Sequence, residues 1–121
     1  MTKEQALHSF WAGFGVPAYE ANTVPDGTAL PRITYEVSTD SFGASVSLTA
    51  SIWDRSTSWK TANNLAKSVS EALSCGGVNI PYDDGFIWLK TRSPFSQHMS
   101  DPDDGIRRIL LSLEAEFLSE V

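Results

Sequence analysis

A chain of 121 residues, 41% of them hydrophobic and 11% aromatic, has the material for one folded domain with a modest core and is not disordered in composition. Fifteen acidic residues against nine basic leave a formal charge of −6. That balance excludes a general phosphate-backbone binder, and no run of Lys and Arg supplies a local basic patch.

Residues 2–14 predict an amphipathic helix. Thr2 and Gln5 have capping-box spacing, and Ala6, Leu7, Phe10, Trp11 and Phe14 form its apolar stripe, with His8 on the solvated side. Residues 16–30 carry Pro17, Pro25 and Asp26-Gly27, with Pro31 just beyond. This punctuation predicts an extended wrap that joins no sheet ladder, anchored by Tyr19 and Val24.

Residues 32–38 predict a strand with Ile33, Tyr35 and Val37 inward, and a turn over 39–43 makes a hairpin with residues 44–53. In that second strand Val46, Leu48, Ala50 and Ile52 share one face, with Ser45, Ser47, Thr49 and Ser51 on the other. A period of two means one buried face. Residues 54–58 are polar and suited to capping, and from Trp59 the period changes: Ala62, Leu65, Ala66, Val69 and Leu73 make a helical stripe, stopped by Cys75-Gly76-Gly77. Cys75, alone in the chain, allows no intrachain disulfide and reads as structural.

Tyr82 to Gly85 is a turn, residues 86–92 a third strand, and residues 106–117 alternate as a fourth, although a helical stripe through Ile106, Ile109, Leu110, Leu113 and Phe117 competes with it. Between them, residues 93–105 have no periodicity and predict a long loop carrying Phe95, His98 and Met99. The expected fold is α+β, one domain over 1–121 in the order α-β-β-α-β-β: a four-stranded antiparallel sheet with two helices on one face.

Chemistry is sparse. His98, Asp101, Asp103 and Asp104 stand close in sequence, but the calcium-loop pattern is incomplete, and an acidic turn explains them. Two distant histidines and one cysteine argue against zinc, and neither a nucleophile elbow nor a phosphate loop occurs. The expectation is no enzyme, no metal and no cofactor. No long apolar stretch marks a signal peptide or a membrane span, so a cytosolic product without a membrane partner is expected. Trp53, on the polar face of its strand, and Trp59, at the start of the second helix, either fold over the sheet edge or belong with Arg55 to a protein contact.

Several stretches together resemble one family. Phe14-Gly-Val-Pro-Ala-Tyr-Glu20, Asn22-Thr-Val-Pro-Asp26 and Leu30-Pro-Arg-Ile-Thr-Tyr35 resemble the opening of tail-terminator, tail-completion or minor-capsid proteins of long-tailed bacteriophages and prophages. Ser51-Ile-Trp-Asp-Arg-Ser-Thr-Ser-Trp59, Ser93-Pro-Phe-Ser-Gln97 and Asp101-Pro-Asp103 continue the likeness. It implies a virion protein assembled in the host cytoplasm. Such proteins form a ring, commonly of six subunits, that caps the head-proximal end of the tail tube and meets the head connector. DNA passes through an acidic lumen without being gripped. On this reading Phe95, Gln97, His98 and Met99 form an arm towards a neighbour or the tube, with Trp53, Arg55 and Trp59 as further contacts. A head-side connector at the neck, or a small accessory enzyme with a metal site in 93–105, are the competing readings.

Overall fold

A computed structural model describes residues 2–21, 30–38, 45–74, 76–83 and 85–119. Val24, the turn over 39–43, Ala44, Cys75 and Asp84 lie outside the described residues. Helix α1 spans Lys3–Ala12, and its capping box forms as its sequence predicts: Thr2 accepts from the Gln5 N–H, and the Gln5 side chain accepts from the Thr2 N–H. Helix α2 spans Lys60–Leu73. It opens on Trp59, and Ser58 of the polar stretch expected to cap it accepts from the Lys60 N–H at 3.1 Å, while Asp54 of the same stretch is buried at the end of a strand.

Among the described residues six strands, not four, make one sheet: β1 (Ala18–Glu20), β2 (Arg32–Ser38), β3 (Ser45–Arg55), β4 (Val78–Tyr82), β5 (Gly85–Met99) and β6 (Ile106–Ser119), in the order β1-β2-β3-β6-β5-β4. The sheet is mixed, since β1 runs parallel to β2 while the other pairs are antiparallel.

Two further expectations are corrected. Pro17 does not keep the following residues out of the sheet: lacking an N–H, it still offers its carbonyl to Ile33, and Ala21 donates to the Tyr35 carbonyl at the other end of β1. Pro81 is accommodated within β4 because this is an edge strand with one side needing no partner. The long loop over 93–105 is mostly strand. β5 shifts register between Thr91, opposite Leu113, and Ser96, opposite Leu111, so residues 92–95 face the single Ser112. That insertion absorbs Pro94, and Ser96–Met99 then pair with Leu111–Arg108. Only residues 100–105 connect β5 to β6.

Direct pairing places the core residues in rows across one face: Ile33, Ile52 and Ile109; Tyr35, Ala50 and Leu111; Val37, Leu48 and Leu113; Val46, Ala115 and Leu89. Ala6, Leu7 and Trp11 of α1 and Ala62, Ala66, Val69 and Leu73 of α2 join the same buried cluster. Helix α2 packs on β3, β6 and β5, whereas α1 touches β1 and β4, the two opposite edges. Six strands at about 4.8 Å spacing span about 24 Å, against about 15 Å for a ten-residue helix, so the sheet curls towards α1.

Candidate functional site: two tryptophan–arginine surfaces

Strand alternation decides where the candidate contacts go. Arg107 and Arg108 are consecutive on β6 and therefore point to opposite faces. The Arg107 guanidinium lies 5.5 Å from the Trp59 ring on the helix side, and that of Arg108 lies 4.6 Å from the Trp53 ring on the outer side. Trp53 and Trp59, six residues apart, thus belong to two different surfaces.

The first surface is the tip where β5 turns into β6. The His98 and Trp59 rings stack 3.8 Å apart at 3°, and His98 Nε2 donates to Asn63 Oδ1 of α2 at 2.9 Å. Met99, Asp101, Asp103, Asp104 and Arg107 are among the other residues that line a recess of about 270 Å³ here. The connection folds on its own side chains: Asp101 accepts from the Asp103 N–H, and Asp103 accepts from the Gly105 N–H and from Arg55 at 3.3 Å. Arg107 donates to the carbonyls of Asp104 and Thr57, each at 3.1 Å. Among the described residues, no three His, Cys, Asp or Glu side chains gather around a point where a metal ion would sit.

The Gly105 N–H and then the Arg55 guanidinium hold the Asp103 carboxyl below its ordinary value of 3.8. A lowered value in the folded state means stability that is fully present above pH 3.8 and lost as pH falls through the lowered value. The difference in melting temperature between the parent and Asp103→Asn should therefore be constant at neutral pH and shrink in acid. A difference that grows in acid contradicts this assignment.

The second surface is the outer face of the sheet. Trp53 Nε1 donates to Thr34 Oγ1 at 2.9 Å, and Arg108 Nε donates to Ser51 Oγ at 3.1 Å. These side chains and Arg32, Glu36 and Leu110 border a recess of about 310 Å³. Gln97 is exposed and pairs with Leu110 in the ladder, so it lies beside this recess and not with His98.

Phe95, Gln97, His98 and Met99 are accordingly strand residues rather than members of a loop arm. Phe95 is half-buried and packs against the core, whereas Met99 is half-buried at the tip recess. Phe95→Ser should lower stability by about 2 kcal/mol, and Met99→Ser by under about 1 kcal/mol. Chemical denaturation checks this, and equal losses would contradict the placement. Sequence reasoning missed Asn63, Arg107 and Arg108; the one available signal was an arginine pair entering an alternating strand that also reaches two tryptophans.

No protein-family model matches this chain. No curated protein matches it either. Among solved structures it is similar to a chain in a structure described as the virion of a native gene transfer agent (GTA) particle. The TM-score is 0.61 at 21% identity, covering 93% of this chain and 89% of that one. The likeness is one of fold.

Proposed function

We propose that this protein is a structural component of a phage-like virion, and within it a ring-forming tail terminator. It caps the head-proximal end of the tail tube and joins the tail to the head connector. The observation that carries the reading is the fold likeness to a chain of a virion particle over nearly the whole length of both chains. The resemblance of residues 14–35, 51–59 and 93–103 to tail-completion proteins supports the finer role.

The role is non-catalytic and needs neither metal nor cofactor. Its partners are copies of itself, the tail-tube protein and the head connector. The ring is hexameric, as in the proteins it resembles, and DNA passes through the lumen without specific binding. A head-to-tail ring needs two different contact surfaces on each subunit. The tip around Trp59 and His98 and the outer recess around Trp53 and Arg108 are two such surfaces, on opposite faces of one sheet.

Tube growth tests the terminator role. Purified tube subunit polymerising alone should lengthen without limit, and adding this protein at a small molar fraction should give shorter tubes bearing a terminal cap in electron micrographs. Unchanged tube lengths without caps would move the assignment to the head-side connector.

A further inference from the structure

We infer that the outer-face recess is the socket for the acidic β5–β6 tip of a second copy of this chain, with Asp104 of one copy meeting Arg108 of the next. The inference rests on the proposed self-assembly and assigns its contact.

The socket is a prepared one. Arg108 is fixed by its Nε bond to Ser51 and by its place over the Trp53 ring. Trp53 is fixed in turn by its bond to Thr34. Neither terminal nitrogen of Arg108 has a hydrogen-bond partner among the described residues. A guanidinium held over an aromatic ring, with its outer nitrogens unengaged, is suited to a carboxylate, and less ordering is lost when it binds. Arg108 thus brings a positive group to this recess, on a chain whose formal charge is −6.

The same chain carries the complement. Asp101, Asp103 and Asp104 crowd the connection between β5 and β6. Asp103 is engaged by Arg55 and Gly105, and Asp101 by the Asp103 N–H. Asp104 is exposed, and its carboxylate has no partner among the described residues, since only its backbone carbonyl is used, by Arg107. Asp104 and Arg108 are not paired within one chain. A protein bearing socket and plug on different surfaces makes a heterologous contact that repeats from copy to copy. The tip is braced by its own hydrogen bonds, so it presents Asp104 without a large ordering cost.

Charge reversal tests it, with association measured by sedimentation velocity of the full chain over a range of concentrations and without tube protein. Asp104→Arg, on an exposed tip, should keep the parent circular dichroism spectrum and weaken association about tenfold or more. Arg108→Glu should do the same; because it also uncovers Trp53, its folding is checked by thermal melting, and Asp104→Arg stands alone if it fails. Mixing the two single variants, or combining both changes in one chain, should restore association, because each places a positive residue opposite a negative one. Association unaltered in Asp104→Arg overturns this contact but leaves the terminator role to the tube experiment. A parent chain that stays monomeric throughout the range overturns the contact as well.

Discussion

Gly77→Ala should cost about 2–4 kcal/mol, although it adds one methyl group in a short connection. Gly77 has φ +83°, in the left-handed region that a side chain disfavours. The stronger reason is space. A Cβ there would press into the Leu89 carbonyl oxygen and lie 2.8 Å from Trp88 Nε1 and 2.9 Å from Lys90 Cγ. The lysine can move, but the carbonyl belongs to β5, whose neighbouring Leu89 and Ile87 side chains are fully buried. Trp88 is also tethered, through its bond to the Gly76 carbonyl. The close approach seats the residue that enters β4 directly against β5. Urea unfolding followed by circular dichroism measures the loss, and a change under about 0.5 kcal/mol would contradict the account.

Trp11→Ala should be larger still, about 3–5 kcal/mol. The ring is fully buried, stacked on Tyr35 at 6.2 Å and 17°, and edge-on to Phe10 at 5.0 Å. It is the largest side chain that α1 lends to the core, and α1 is the element that touches both edge strands. Removing it opens a cavity where β1 and β4 approach the same helix. Trp11→Phe should lose much less, because the buried indole Nε1 has no hydrogen-bond partner among the described residues to forfeit. Equal losses for alanine and phenylalanine would show that the indole itself, rather than its bulk, holds the contact.

The long alternating strands were legible because each carries its own pattern. β2, β3 and β6 show inward residues at every second position, and α1 announces its start with Thr2 and Gln5. What escaped depends on partners far away in sequence. β1 is three residues long and exists because β2 offers it a parallel edge. β4 includes Pro81, which only an edge position tolerates. The end of β5 is polar and mostly exposed, and its strand character comes from Leu111 to Arg108 on β6.

The site divides in the same way. Trp53 was legible as an outward residue from its phase in β3, and the structure places it there. The stack of His98 on Trp59 joins the end of one strand to the start of a helix 39 positions earlier, and no local spacing encodes it. Phe95 and Met99 were grouped by nearness in sequence, yet one packs against the core and the other borders the tip. The two arginine–tryptophan pairs became visible only when β6 was placed between β3 and β5.

Self-assembly at the end of a tail tube, as proposed, is measured by the solution mass from light scattering, with and without purified tail-tube subunit. A ring-sized species of about six copies, or a monomer that becomes a ring on the tube, is the predicted result. A strict monomer that ignores the tube would contradict it.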